Sequence, residues 1–371
     1  METTVLDDLR KNKTTPCVSV IVPTHTTAPD RQLDELEVKK MLERAEDLVK
    51  HKFGKKNSGE EVIKKLYALA KKIDYIHNGK GIGVFVSPEV ARLVKFPFPV
   101  VEKVVVGNNF EIRDILFLSE TMMNYYLLAI NEKVINLFEG KGIHLKQVID
   151  HNFPLHLEND YEYTHTSLGS SYGYALKSPE KGRSVMKEQR WTTFLKKADK
   201  RVSEYLDENR PLIIGGNSKM LGSYAKMSVN KKSIVGKIWG DYVHEDLYSL
   251  GEMAFEQIRS YLKEKEEKLL MRLQDAVGKK LAMSGITDVW NAAFEGKGLI
   301  LLVEKDFAMP GFVEDETSKF HLHPPHGNHQ IISDAADDAM ELVIEKKGKV
   351  VIVENGKLDD HGKIALILRY W

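Results

Sequence analysis

The stretch DAADDAMELVIEKKGKVVIVENGKLDDHGKIALILRYW, residues 334–371, decides how the end of this chain folds. Asp334 stands where a helix N-cap belongs, ahead of the helical run AADDAMELVIEKK, and Gly348 stands where such a run stops. KVVIV is short and β-branched, which fits a strand. A Gly/Asp loop follows, and ALILRY closes the chain as a second strand. An acidic amphipathic helix, a strand, a loop and a strand make an α/β unit.

Upstream, a helix is expected near Ile286–Phe294, then a strand over 299–305 and an extended stretch to Ile332. A helix of roughly 35–40 residues is expected between Asp241 and about Lys280, its fully charged middle KEKEEK (263–268) supported by the i,i+4 pairs Glu264/Lys268 and Lys263/Glu267. At the other end, CVSVIV (17–22) reads as a buried strand ended by Pro23. Asp30 reads as the cap of a helix to about Lys52, with Leu33, Val38, Met41, Leu42, Ala45 and Leu48 mostly on one face. Val62–Tyr75 reads as a second helix, 81–87 and 99–107 as strands, and 90–93 as a helical turn between them.

The middle opens near Thr121. Residues 125–140 read as two strands around an Asn-Glu-Lys turn, with Tyr125, Leu127 and Ala129 alternating against Tyr126, Leu128 and Ile130. HLKQVID adds a third strand. Residues 152–184 show neither period and read as a long loop. Met186–Asp207 reads as an amphipathic helix with Phe194, Leu195, Ala198 and Val202 inward, and PLIIGG as a buried strand. The expected organisation is a mixed α/β chain of three domains, 1–119, 120–240 with the loop 152–184, and 241–371.

With 42% hydrophobic and 29% charged residues, global disorder is excluded. No apolar run reaches membrane-spanning length, and METTVLDDLRKNK has no apolar signal core, so the cytoplasm is expected. Cys17 is the single cysteine, which excludes an internal disulfide and a paired-cysteine zinc site. Lys+Arg and Asp+Glu are both 54, which argues against binding nucleic acid through bulk charge.

Local charge is uneven. Lys187–Arg201 holds six basic residues against two acidic, and Lys226–Lys237 holds four lysines and no acid. Arg183, Lys187, Arg190, Lys196, Lys197, Lys200, Lys231 and Lys232 are candidates for phosphate contacts; a solvated helix face and loop is the plainer reading. In the loop, Gly169-Ser170-Ser171-Tyr172-Gly173 matches a nucleophile elbow in letters, but no strand precedes it and no helix follows. Gly169, Ser171 and Tyr172 fit better in a flexible element entering an RNA cavity, where Tyr172 stacks on a base. His321, His323, His326 and His329 are weak candidates for zinc, with a polar loop between strands the plainer alternative. His25 and His165 are read as structural. No phosphate-binding loop, dinucleotide fingerprint or HExxH occurs, and no cofactor is expected.

SVIVPTH (19–25), GIGVFVS (81–87), PVVEKVVVGNNFEIRDIL (99–116), YYLLAINEKVINLFEG (125–140), KKADKRVSEYLDENRPLIIGG (196–216) and ILRY (367–370), in that order, resemble a bacterial relative of the archaeo-eukaryotic release factors, nearest the third described family. The chain end is similar to Pelota-type rescue factors. The resemblance implies an RNase-H-like centre, a C-terminal domain like the kink-turn-binding proteins, and the ribosome as partner. In the release factors a Gly-Gly-Gln loop enters the peptidyl-transferase centre, where its glutamine helps to place the attacking water. The comparable stretch is EKGRSVMKEQRW (180–191): Gly182 and Arg183 are present, but Ser184, Val185 and Met186 replace Gly-Gly-Gln. Gln189, three residues on, is the weak catalytic candidate. Three readings follow. The first is a ribosome-bound factor without ester hydrolysis. The others are a peptidyl-tRNA hydrolase with a divergent loop and a cytosolic protein-interaction scaffold.

Overall fold

The computed structural model describes residues 2–27, 30–54, 57–157, 179–207, 210–240, 242 and 246–370; side chains of 2–4, 57 and 179–187 are outside that description. The chain forms two compact units, one of residues 1–120 with 268–371, the other of 121–267. The second unit opens at Thr121 and closes inside the long helix.

Residues 2–120 hold α1 (Glu2–Lys11), β1 (Cys17–Pro23), α2 (Asp34–Phe53), α3 (Asn57–Ala70), β2 (Gly81–Val86), β3 (Ala91–Phe96), β4 (Lys103–Gly107) and α4 (Arg113–Thr121). The sheet order is β3-β2-β1-β4, antiparallel throughout. β1 lies between Val84 and Val104 at Val20 and is buried on both faces, hence its unbroken apolar run. Val38, Leu42, Ala45 and Val49, at helical spacing, press α2 on this sheet with Val62 and Leu66 of α3.

Three details depart from the sequence reading. Asp30 opens a short 3-10 turn, and α2 begins at Asp34, whose buried carboxylate accepts the His25 backbone N–H at 2.9 Å and lies 2.7 Å from His25 Nδ1. α3 starts and stops about five residues earlier than its apolar period suggests. Residues 91–96 form strand β3, not a helical turn. Ser87 closes a tight turn by accepting Val90 N at 3.0 Å, and the two-residue alternation then pairs Leu93 with Val84.

Unit 2 contains β5 (Asn124–Ile130), β6 (Val134–Lys141), β7 (His144–Gln147), β8 (Leu155–His156), α5 (Pro179–Val202), β9 (Leu212–Gly216), α6 (Ser218–Met227), β10 (Ile234–Trp239) and the start of α7 (Leu247–Gly278). The order is β10-β9-β5-β6-β7, with β8 on β6. β5, β6 and β7 form an antiparallel meander; β9 runs parallel to β5 and β10 parallel to β9. The centre is thus a meander followed by two crossover strands. Tyr126, Leu128 and Ile130 face a core shared with α5 and α6, while Tyr125, Leu127 and Ala129 face Leu250, Ala254 and Ile258 of α7. Close packing needs glycine twice: a Cβ at Gly140 would meet the Tyr125 ring at 2.3 Å, and one at Gly251 would meet the Ile143 carbonyl at 1.8 Å.

The expected irregular loop is shorter at both ends. Asp150 turns the chain by accepting Asn152 N and Phe153 N, which buries Phe153 and sets β8. α5 starts at Pro179, whose fixed φ suits the first helical position. Residues 158–178 lie outside the described residues.

Residues 282–368 hold β11 (Ala282–Ser284), α8 (Ile286–Phe294), β12 (Gly298–Glu304), β13 (Gly311–Glu314), β14 (Phe320–His321), β15 (His329–Ile332), α9 (Ala335–Glu345), β16 (Lys349–Val353) and β17 (Ile364–Leu368). The main sheet is β11-β17-β12-β16; β13, β14 and β15 form a small second sheet from the stretch expected to be extended. Leu273 and Ala276 of α7 pack against Ile300, Leu302 and Ile367. Asp334 caps α9 as expected, accepting Ala336 N and Asp337 N. Among the described residues no helix is long and apolar enough to cross a membrane.

Candidate nucleic-acid interface

α5 is the element on which most sequence candidates fall. Its inner edge is Phe194, Leu195, Ala198 and Val202, with Trp191 half-buried beside Phe194 at 5.6 Å between ring centres. At 3.6 residues per turn the opposite stripe carries Gln189, Thr193, Lys196 and Lys200, about 16 Å end to end. Arg190 and Lys197 flank it, and all six side chains are exposed. Thr193 donates its hydroxyl to the Gln189 carbonyl at 3.0 Å, so it offers less to an outside partner.

A buried carboxylate fastens the second basic segment to this helix. Asp199 is 4% exposed. Its Oδ1 accepts Tyr224 Oη at 2.9 Å, Ser228 Oγ at 2.6 Å and Asn230 Nδ2 at 3.0 Å, while Oδ2 accepts Val229 N at 2.8 Å. Asn230 also bonds the Asp199 carbonyl and the Ser203 hydroxyl. Burial, then the Asp199 charge, push the Tyr224 phenol up, so it stays a neutral donor. Four donors satisfy one carboxylate, which is the condition for burying a charge. The 228–230 turn is thereby tied to α5, and Lys231 and Lys232, both exposed, follow within two residues of Asn230.

Asp199 is the residue the sequence reading missed. In KKADKR it looks like one more solvated charge. The signal was its position four residues after Leu195, beside the apolar edge.

The remaining candidates are placed as follows. Gly182, Arg183 and Lys187 lie on the helical N-terminal half of α5, and their side chains are outside the described set. Gly169, Ser171 and Tyr172 are outside the described residues altogether. The stretch compared with Gly-Gly-Gln is helical from Pro179 onward, so Gln189 sits on a helix flank between Glu188 and Arg190. His321 on β14 pairs with Phe312, and its Nε2 is buried with no hydrogen-bond partner. His329 on β15 pairs with Glu314, its ring edge-on to Phe312 and its Nδ1 2.9 Å from the Gly327 carbonyl. His323 and His326 are exposed between these strands. Among the described residues no three His, Cys, Asp or Glu side chains gather in a way that could hold a metal ion.

The sequence model of bacterial archaeo-eukaryotic release factor family 3 matches residues 124–297, a span that contains α5, Asp199 and both basic segments. Among solved structures, the crystal structure of archaeal translation termination factor aRF1 is 14% identical, covering 100% of this chain and 97% of that one, with a TM-score of 0.25. A structure of S. cerevisiae Dom34, a translation termination-like factor, is 14% identical over 79% of this chain and 75% of that one, TM-score 0.40. Archaeoglobus fulgidus Pelota is 13% identical over 78% and 84%, TM-score 0.32. No curated protein matches in sequence. Over residues 124–297 this chain is similar in sequence to bacterial archaeo-eukaryotic release factor family 3.

Proposed function

We propose that this chain is a ribosome-associated translation factor of the release and rescue kind, working in the cytoplasm without hydrolysing the peptidyl ester. It contacts RNA near the tRNA site through the exposed stripe of α5 and the turn carrying Lys231 and Lys232. The reading is carried by one coincidence: the basic stripe lies on the release-factor-like segment, next to the stretch that in release factors bears the catalytic loop. The lack of hydrolysis is supported by Ser184-Val185-Met186 in place of Gly-Gly-Gln. It is supported too by the place of Gln189, on an exposed helix flank between Glu188 and Arg190 and not in a glycine-rich loop. The C-terminal sheet is left to meet a protein partner.

The test is co-sedimentation of the full chain with ribosomes on sucrose gradients at low and high salt. Association that weakens with salt is expected, because each cation on a phosphate releases counterions. Replacing Lys196, Lys197, Lys200 and Lys231 by Glu should weaken it and flatten its dependence on salt. Unchanged binding by that variant removes the phosphate contact, and no binding by the parent chain favours the scaffold reading. Release of peptide from stalled complexes that is lost in Gln189→Ala would favour the hydrolase instead.

A further inference from the structure

Within unit 1, residues 103–114 meet helix α9 through a buried group of charges with more acids than bases. Arg113 is 1% exposed; its Nη2 donates to Asp334 Oδ2 at 2.6 Å, and its Nε has no partner. Lys103 reaches Glu111 at 2.8 Å and Asp334 at 4.0 Å. One turn further along α9, Asp337 is 5% exposed and its Oδ1 has no hydrogen-bond partner. Asp338 follows, and Glu341 accepts a hydrogen bond from Asn109 Nδ2. Asp114 of α4 is buried in the same contact.

We propose that this contact is a proton-held latch, closed while the α9 carboxyls carry protons and released as they ionise. The reason is that Arg113 and Lys103, the cations inside the contact, face four buried carboxyls, Glu111, Asp114, Asp334 and Asp337, with Asp338 and Glu341 half-buried beside them, and one Asp337 oxygen has no partner. Burial, then Asp334 and Glu111, push Asp338 up to about 7. Burial, then Asp338, push Glu341 up to about 8, with Glu345 and Glu111 adding and Arg10 of α1 opposing. Burial and Glu111 hold Asp337 well above the carboxylate range, against the pull of Arg113. Asp114 rises to about 6, mainly by burial, while Lys103 and Lys305 pull it down. Cys17, which also feels Glu341, is pushed by burial to about 12 and stays neutral.

A carboxyl whose value is raised in the closed contact keeps its proton there and loses it on opening. The closed form therefore binds more protons, and rising pH favours opening between the ordinary carboxyl range, about 4, and about 8. One such group changes the opening equilibrium about tenfold per pH unit across its window.

Hydrogen–deuterium exchange on the full chain at pH 6, 7, 8 and 9 tests this, with rates corrected for intrinsic base catalysis. Amides of α4 and α9 should lose protection by roughly tenfold or more across the series, while amides of β5 hold theirs. Asp338→Asn with Glu341→Gln should flatten the slope. Protection at α9 that is flat with pH, or that falls in step with β5, overturns the latch. If the double variant does not fold, the wild-type slope and single Glu341→Gln decide: an unchanged slope in the single variant also overturns it.

Discussion

Two buried carboxylates in this molecule are handled in opposite ways. Asp199 of α5 is alone, and four donors close on it, Tyr224 of α6 and the three residues of the turn that follows α6. Asp337 of α9 sits among other acids with one oxygen unpartnered. The first arrangement is fully partnered, so it fixes geometry: it sets where the 228–230 turn docks on α5. The second is incomplete and must hold protons, so it responds to its surroundings. Burial alone does not tell a structural acid from a titrating one; the count of donors around it does.

The sharpest way to break the comparison is to remove the cation from the crowded site. Arg113→Met should cost about 3–5 kcal/mol, because it leaves Asp334 buried without its partner. Asp334 can then take up a proton, so the loss should be greatest near pH 8 and smaller near pH 5. Chemical denaturation followed by exchange at unit 1 amides reads both numbers. Next in size is Asp199→Ala, which strands the Tyr224 and Ser228 hydroxyls and the Val229 N–H; about 2–3 kcal/mol is expected, with no pH slope between 6 and 8. A slope at Asp199 equal to that at Arg113 would erase the distinction between the two sites.

How far each region was legible follows from the same contrast. The alternation of Tyr125, Leu127 and Ala129 against Tyr126, Leu128 and Ile130 is local, and it gave both faces of the central sheet correctly. The Asp334 cap and the stripe from Gln189 to Lys200 are also local, since one helix turn sets each. The partners of Asp199 lie 25–31 residues later and those of Arg113 lie 221 away, so neither role can be read from a window of sequence. The strand at 91–96 was misread because Arg92 and Lys95 break up its apolar residues and Ser87, which makes the turn, read as the last residue of the strand 81–87.

A smaller effect sharpens the crowded site. Asp338→Asn removes an acid that the closed contact must keep protonated. The folded value is raised, so the wild-type penalty grows as pH rises from about 4 to about 7 and is then constant. The variant should therefore gain in melting temperature at pH 8 and change little at pH 4. A gain of equal size at both pH values would mean that the proton is not involved and that a packing change is responsible.

The smallest expected effect on stability falls on the exposed face of α5, and it separates folding from function. Lys196, Lys200 and Lys231 are exposed, so charge reversal there should move stability by only about ±0.5 kcal/mol each. Lys197 is exposed as well and makes an electrostatic contact, so its share is tested by its own single variant. RNA affinity should respond very differently, because four cations become four anions along one helix and its neighbouring turn. The slope of log affinity against log salt should flatten by about 3–4 if all four lysines touch phosphate. Asp199→Asn then gives the linking measurement: it leaves every lysine in place but loosens the turn. A drop in affinity confined to the contribution of Lys231 and Lys232 would mean that the buried carboxylate acts through position, and a uniform drop would mean that α5 itself has shifted.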